Sequence, residues 1–326
     1  MNNRGLLDLI ISLLPGLQAA DKIGMINAFN SEEELYTLSK RQVEEIIGRG
    51  LKEFWEINDI RDKADRIETM CRTRSIKIVS WTSAEYPPLL REIYDPPSVL
   101  YYKGCLADAD KSLLGMVGTR RPSPDAASQA YKLAFGAGQG GISVISGLAI
   151  GIDAMSHRGN LVSRAPGYAV LGSGIDEVYP SCNRPLAKRI LDSGGALISE
   201  YHPGVRPSKW SFPARNRIIS ALSRGVLIVE APEKSGALIT AAFALEQGKD
   251  LWVASSGARL DSSAVDRSGT WKLAEDGAEI IHSARDIFAK WNTEMANNSK
   301  NVLASGWETE GKRLASSMAD FLEIKI

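Results

Sequence analysis

The stretch from Phe212 to Gly248, FPARNRIISALSRGVLIVEAPEKSGALITAAFALEQG, decides the fold of this chain. It opens with a basic turn, and the run Gly225–Ala231 that follows is almost continuously apolar and rich in β-branched residues. Such a run is typical of a strand that is covered on both faces in a parallel sheet. A small-residue loop and a predicted helix over 241–247 come next. Because open parallel sheets bind ligands where their strands end, we expect the binding site at the end of this strand.

Apolar strand candidates alternate with helical stretches from Gly104 onwards. This alternation predicts an α/β fold with a doubly wound, largely parallel sheet and helices on both faces. Two further strands are predicted at 76–81 and 99–102, in a proline-rich connection. The strand candidates of the main sheet are Leu113–Gly118, Ile142–Ser146, Tyr168–Gly172, Ala196–Glu200, Val226–Glu230 and Leu251–Ala254.

The chain divides by pattern into four parts. Residues 1–74 show helical spacing of apolar positions and predict a small all-helical N-terminal module. Its LPG turn is similar to that of a helix-hairpin-helix, although a packing module is the favoured interpretation. We expect residues 75–103 to link this module to the sheet domain at 104–290. Residues 291–326 are predicted to form a polar tail, too short for a further full domain.

Composition narrows the class of protein. The 326 residues are 44% apolar and 24% charged, as in an ordinary globular protein. Lys+Arg and Asp+Glu are both 39, so a polyanionic partner would need a local basic patch. Three widely separated cysteines and three histidines offer no metal-ligand spacing, so we expect no metal. No apolar segment reaches about 18 residues, which predicts a cytoplasmic protein without membrane contact.

Five turns that contain Gly or Ser follow the predicted strands, and they should converge on one edge of the sheet as a groove. Arg120 follows the first strand and could bind a phosphate with its forked guanidinium. Ser146 and Gly147 end the second strand and could cradle an anion, whereas Asp153 is interpreted as a helix cap or a buried network member. The turns are VGTRR (117–121), SGLAIGID (146–153), LGSGIDEVYP (171–180), SEYHPG (199–204) and EAPEKSG (230–236).

A basic and aromatic cluster lies just before the central strand, comprising Lys209, Phe212, Arg215, Asn216 and Arg217. A ring beside several cations suits unpaired nucleic acid, since base stacking is worth about 1–3 kcal/mol per base. The alternative is that Phe212 anchors the core while the arginines are simply solvated. Both interpretations remain open from the residues alone.

Seven motifs occur in an order that resembles the DprA/Smf family, the DNA-processing proteins of bacterial natural transformation, or competence. The resemblance spans about residues 80–290 and is looser over the helical module, where it suggests a SAM or helix-hairpin-helix arrangement. The motifs are YPPLLREIYDPPSVLYYKG, MVGTRRPS, ISVISGLAIGIDAMSHRGNL, AVLGSGIDEVYP, GALISEYHPG, FPARNRIISALSRGVLIVEAPEKSGALITAAFAL and GAEIIHSARDI.

The resemblance implies an extended Rossmann-like fold without a bound nucleotide or other cofactor. It also implies a non-enzymatic protein that binds single-stranded DNA with little regard to sequence. Family members protect that DNA, load the RecA recombinase onto it, and act as dimers through the Rossmann-like domain. The matching positions would be Arg120, Lys209, Phe212, Arg215, Asn216 and Arg217 along the DNA groove, with Ser146, Gly147, Ser235, Gly236 and Thr240 on its floor.

The chain also departs from the family pattern. Ile150 replaces the usual arginine, Ser256-Gly257 replaces a frequent Pro-Gly, and residues 291–326 are too short for the winged-helix domain that many members carry. One alternative is a nucleotide-binding or nucleotide-cleaving enzyme with Glu230 or Asp153 as the acid. A second alternative is a partner-binding scaffold that has lost its affinity for DNA.

Overall fold

The computed structural model describes residues 3–52, 54–259 and 265–291, so the predicted tail lies outside the described residues except for its first residue, Trp291. In this described part, one sheet of nine strands forms the centre of the molecule. The strands are β1 Lys77–Ser80, β2 Val99–Gly104, β3 Leu113–Val117, β4 Ser143–Ser146, β5 Tyr168–Val170, β6 Ala196–Ser199, β7 Gly225–Ile228, β8 Asp250–Ala254 and β9 Glu279–Ile281.

The strand order is β1-β2-β6-β5-β4-β3-β7-β8-β9. The strands from β6 to β9 in this order all run parallel, whereas β2 pairs antiparallel with both β1 and β6. The chain therefore has the predicted α/β fold with a largely parallel sheet. The strand β9 was not among the strand candidates.

Helices cover both faces of the sheet. Along β3, Leu114 and Met116 enter the core beneath α7, α8 and α13, whereas Leu113 and Val117 face α10 and α11. This alternation follows from the two-residue period of a strand. The helices are α1 Asn3–Ser12, α2 Ala19–Ala28, α3 Glu32–Tyr36, α4 Lys40–Ile47, α5 Ile57–Thr73, α6 Pro88–Arg91, α7 Pro124–Gln139, α8 Ile152–Val162, α9 Arg184–Asp192, α10 Ser211–Leu222, α11 Gly236–Glu246, α12 Ser268–Glu275 and α13 Ala284–Trp291.

The N-terminal part of the chain is helical, as predicted. The helices α1 to α5 bury one apolar cluster that also includes Val99 and Tyr101 of β2 and Ile190 of α9. The helical segment therefore shares a core with one end of the sheet. Its division from the rest of the chain as a separate module stays a prediction.

Two local predictions differ from the structure. The basic turn before the central strand is instead the start of α10, where Pro213 fits because the first helical turn needs no amide donor there. The helix α11 begins at Gly236 rather than at 241, because the Ser235 hydroxyl accepts a hydrogen bond from Ala237 N at 3.2 Å. Thr240 therefore lies inside α11 and not at its start.

A buried carboxylate just after β7 joins three parts of the fold. Glu230 accepts hydrogen bonds from Ser123 N at 2.8 Å and Ser123 Oγ at 2.6 Å. Ser123 in turn caps α7, and Arg267 Nε lies 2.9 Å from Glu230 Oε2. Because its oxygens are fully used and it is inaccessible to solvent, Glu230 serves the structure of the sheet edge.

Replacing this carboxylate should destabilise the fold. The Glu230→Gln change replaces the carboxylate that pairs with the buried Arg267 guanidinium by a neutral amide, so we expect a loss of about 3 kcal/mol in the free energy of unfolding. Urea denaturation measures the loss. The control Glu233→Gln removes an exposed carboxylate and should change stability by less than about 0.5 kcal/mol. Equal stability of both variants would contradict the role of Glu230.

A second prediction concerns His157 of α8, which is fully buried. In the described part of the chain neither of its ring nitrogens has a hydrogen-bond partner. Burial, together with the charge of Arg215, lowers the pKa of His157 to about 3. The imidazole is therefore neutral in the folded protein at neutral pH and is not a base of ordinary strength.

The unfolded chain takes up a proton on His157 near its ordinary pKa of about 6.5, whereas the folded protein resists protonation until much lower pH. Stability should therefore be full above that pH and fall by up to about 1.4 kcal/mol per pH unit as the pH drops from 6.5 towards 3. The His157→Gln variant should lack this component. Urea denaturation between pH 7 and 5 tests it, and identical pH dependence in both proteins would refute it.

Candidate nucleic-acid interface

The turns that contain Gly or Ser meet at one edge of the sheet. The strands β3 to β7 are mutually parallel, so the segments that follow them all emerge at their carboxyl ends. Gly151 has φ +82°, and a Cβ there would collide with the backbone of Thr119 and Arg120. The loops after β3 and β4 can approach each other this closely only with glycine at this position.

An exposed ring and an exposed cation lie together at this edge. The Arg120 Cζ lies 5.6 Å from the centroid of the half-buried Phe212 ring. The Tyr179 ring, which is 46% exposed, lies 5.5 Å from Phe212 with the ring planes inclined by 37°. We call Arg120, Tyr179 and Phe212 the aromatic–arginine cluster. It presents two π-systems and one guanidinium to solvent.

A glycine beneath the cluster holds Phe212 in place. A Cβ on Gly172, just after β5, would lie 2.7 Å from Phe212 Cδ1. The phenyl ring therefore packs directly on the backbone after β5, and it also neighbours the Tyr179 ring and the Arg120 guanidinium. This packing sets the orientation of the ring at the sheet edge.

A second ring and cation stand immediately before α10. Trp210 is 74% exposed, and the Lys209 Nζ lies 4.9 Å from its ring centroid. The sequence predicted Lys209 as a site residue but missed Trp210 and Tyr179. Both could have been found, since Trp210 stands between predicted site residues and Tyr179 ends the glycine-containing turn at 171–180.

Arg215 is buried, contrary to the expectation of a cation that faces the groove. Its guanidinium donates hydrogen bonds to the carbonyls of Gly147, at 2.9 Å, and Val170. Its Nε donates to Asn216 Oδ1 at 2.9 Å. Burial lowers the pKa of Arg215 to about 10. Arg215 therefore ties the loop after β4 to the end of β5.

Arg217 also differs from the expectation. It is buried, with its Nη2 2.7 Å from Glu200 Oε1 and its Nε 2.9 Å from Asp95 Oδ2. Two carboxylates therefore already neutralise the charge of this guanidinium, so it is not available to bind a phosphate. Asn216 is buried as well, and its Nδ2 donates to Gly236 O at 3.0 Å, which links α10 to α11.

The predicted anion cradle after β4 is already occupied by a side chain. Asp153 Oδ2 accepts hydrogen bonds from Gly147 N at 3.1 Å and Ala149 N at 3.3 Å. The Ser146 hydroxyl is buried and donates to Met116 O at 2.6 Å. Burial raises the pKa of Asp153, and the nearby Arg215 opposes that shift. Asp153 is therefore a buried member of a hydrogen-bond network, which is one of the two interpretations that the sequence offered.

The three predicted floor residues near α11 have different environments. Ser235 is half-buried and caps the helix, and Gly236 is exposed. Thr240 is buried, and its hydroxyl has no hydrogen-bond partner among the residues that the structure describes. Of these three, Gly236 alone is exposed.

Within the described ranges, no group of three His, Cys, Asp or Glu side chains is placed to hold a metal ion. None of the described helices combines the length and the hydropathy that crossing a membrane requires.

Comparison with known proteins gives the family. The model of the family described as DNA recombination-mediator protein A matches residues 77–292. The DNA processing protein DprA of Bacillus subtilis is 40% identical over 234 residues, which cover 72% of this chain and 77% of that protein.

Two solved structures are similar over most of their length. The DNA processing protein A from Streptococcus pneumoniae has a TM-score of 0.68 and 29% identity, covering 89% of this chain and 98% of that one. DNA processing protein A from Helicobacter pylori, whose structure addresses its single-stranded DNA binding mode, has a TM-score of 0.58 and 27% identity, covering 68% of this chain and 97% of that one. With its fold, its sheet-edge motifs and this match, the chain belongs to the DprA/Smf family of DNA recombination-mediator proteins.

Proposed function

We propose that this protein binds single-stranded DNA along the carboxyl edge of its sheet, protects it, and delivers it to the RecA recombinase. One observation carries the proposal: Phe212 is held half-exposed on Gly172, with the Arg120 guanidinium 5.6 Å from its ring centroid. A ring can stack on a base while the adjacent cation contacts a phosphate. The binding residues in this proposal are the exposed Arg120 and Lys209 and the half-buried Phe212.

The geometry favours a single strand over a duplex. Stacking on Phe212, Tyr179 or Trp210 requires a base face that is free, and in a duplex each base face is already stacked. Trp210 is the more exposed of the rings, and Lys209 supplies a second cation beside it. The single-stranded DNA binding mode of the similar H. pylori protein supports the same ligand here.

The remaining predicted site residues have a supporting role in this proposal. Arg215 and Asn216 connect α10 to the groove loops and to α11, and Arg217 anchors α10 to Glu200 and Asp95. Backbone and hydroxyl groups below the cluster, at Ser146, Gly147, Ser235, Gly236 and Thr240, shape the floor.

We propose a non-enzymatic role without a cofactor. The enzyme alternative needs Glu230 or Asp153 as an acid that faces a substrate. Both carboxylates are buried, and each accepts hydrogen bonds from the backbone of a neighbouring loop. Neither can reach a sugar at the groove surface.

Truncation of the cluster should weaken binding in two distinguishable ways. Phe212→Ala should reduce affinity for a labelled 20-nucleotide strand by about tenfold, since it removes a stacking platform, and should leave the salt dependence unchanged. Arg120→Ala should make the slope of log affinity against log salt shallower by about 0.7, because one phosphate contact is lost. Fluorescence anisotropy at several salt concentrations measures both effects.

Tyr36→Ala is the matched control, because Tyr36 is an exposed aromatic residue on α3. Gly172→Ala adds a geometric test: its methyl group displaces Phe212 and should lower affinity with no change in charge. Affinities equal to the wild type for Phe212→Ala and Arg120→Ala would reject the assigned site.

The delivery step is measured with the same variants. The wild-type protein should accelerate RecA filament assembly on single strands coated with single-strand-binding protein, and the Phe212→Ala/Arg120→Ala double variant should not. Normal acceleration by the double variant would separate delivery from this groove.

We propose that the protein forms a homodimer through the outer face of α11 and the edge strand β9. Leu245 of α11 is 64% exposed and Ile280 of β9 is 42% exposed. Ile281 packs into the α7 and α13 core, so strand alternation turns Ile280 to the face that α11 covers. Exposed apolar side chains beside a strand that ends the sheet, as β9 does within the described residues, are typical of an association surface.

The Leu245→Arg/Ile280→Arg variant should therefore be monomeric at micromolar concentration, since it places two charges in this apolar surface. Sedimentation velocity compares it with the wild type and with Ile46→Arg, which changes an exposed apolar residue on α4. A dimer that persists in the double variant would place the interface elsewhere.

A further inference from the structure

A cavity separate from the aromatic–arginine cluster lies at the carboxyl ends of β8 and β9. It has a volume of about 700 Å³ and opens between α7, the segment after β8 and the turn from β9 into α13. We call it the basic cavity, because its lining includes Lys132, Arg259, His282 and Arg285. The proposed aromatic–arginine cluster does not include these residues.

The basic side chains of the cavity have no carboxylate partners in the described part of the chain. Across the described ranges, none of Lys132, Arg259, His282 and Arg285 has a carboxylate partner within ion-pair distance. All four are exposed. Asp125 is the acidic residue in the lining, so basic groups dominate there.

The floor of the basic cavity is ordered and has an unused polar group. Gln129 of α7 donates to Ser255 Oγ at 2.7 Å and accepts from Ser256 N at 2.7 Å. Ser256 also lines the cavity and is 6% exposed, and its hydroxyl has no hydrogen-bond partner in the described structure. Buried hydroxyls are nearly always hydrogen-bonded, so this one indicates a ligand or bound water.

We propose that the basic cavity binds a backbone phosphate of the same DNA strand that the aromatic–arginine cluster holds. The proposal rests on the proposed function. A phosphate suits both features of the cavity, since its charge matches the cations and its oxygens accept hydrogen bonds from hydroxyls. A free nucleotide or inorganic phosphate offers the same chemistry, so the experiment includes both.

The sheet order places the two sites within reach of one strand. The strand β3, which carries Arg120 at its end, is separated from β8 by β7 alone, and β9 follows β8. With neighbouring strands about 4.8 Å apart, the end of β3 lies about 10 Å from the end of β8 along the carboxyl edge, and the DNA would cross this edge from the α10 face, where Phe212 lies, to the face that α7 and α13 cover. A few nucleotides of an extended strand span that distance. The exposed Arg121, next to Arg120, lies at the same edge.

The dependence of DNA affinity on strand length tests whether one strand contacts both sites. The Lys132→Ala/Arg285→Ala variant should lose about tenfold in affinity for a strand of 20 nucleotides, and its salt slope should become shallower by about 1.4, for two lost phosphate contacts. The loss should shrink markedly for a strand of about 5 nucleotides, which one site can occupy alone. The control Lys111→Ala/Arg164→Ala removes two exposed cations from the opposite edge of the sheet and should change neither quantity.

Several outcomes would overturn the inference. If the Lys132→Ala/Arg285→Ala variant matches the control at every length while Phe212→Ala binds weakly, the cavity is not on the DNA path although the proposed function stands. If the wild type binds no strand of any length, both fail. If phosphate or ATP, tested by thermal shift, stabilises the wild type but not the variant, and DNA affinity is equal in both, the ligand is a free phosphate compound instead of DNA.

Discussion

The proposed interface depends on the hydrogen bonds that the buried Arg215 guanidinium donates to two backbone carbonyls. One buried guanidinium donates hydrogen bonds to the carbonyls of Gly147, just after β4, and of Val170, the last residue of the neighbouring strand β5. Gly147 permits this contact, because a Cβ there would overlap the guanidinium. Asp153 binds the amides of the same loop from the other side and leaves them no free donor. Phe212 lies in the first turn of the same helix, so the hydrogen bonds that hold α10 in place also help to position its ring.

In this arrangement the buried groups stabilise the structure, and the exposed groups are available to a ligand. The buried cations hold loops and helices in place, and their charges are already matched by carbonyls or carboxylates. The exposed groups, Arg120 and the rings beside it, have few protein partners that compete with a ligand. A neutral protein can in this way present a local basic and aromatic edge, which agrees with its equal numbers of acidic and basic residues.

Sequence patterns predicted the sheet well and the side-chain environments less well. Continuous apolar runs located the buried strands, and parallel pairing then placed the turns at one edge without further information. By contrast, the letters FPARNR do not reveal that α10 starts there, so they could not tell that Arg215 and Arg217 turn inward while Phe212 stays at the surface. The partners of those arginines are distant in the chain, so the spacing of residues around FPARNR does not predict them. They are Gly147, Val170, Glu200 and Asp95.

The central claim is that unpaired bases stack on the rings of the aromatic–arginine cluster, and photocrosslinking tests it most directly. A single strand that carries 5-iododeoxyuridine would be irradiated in complex with the wild-type protein, and the linked peptide identified by mass spectrometry. The account predicts crosslinks at Phe212, Tyr179 or Trp210. Crosslinks confined to the helical segment α1 to α5, or to the amino edge of the sheet, would contradict it.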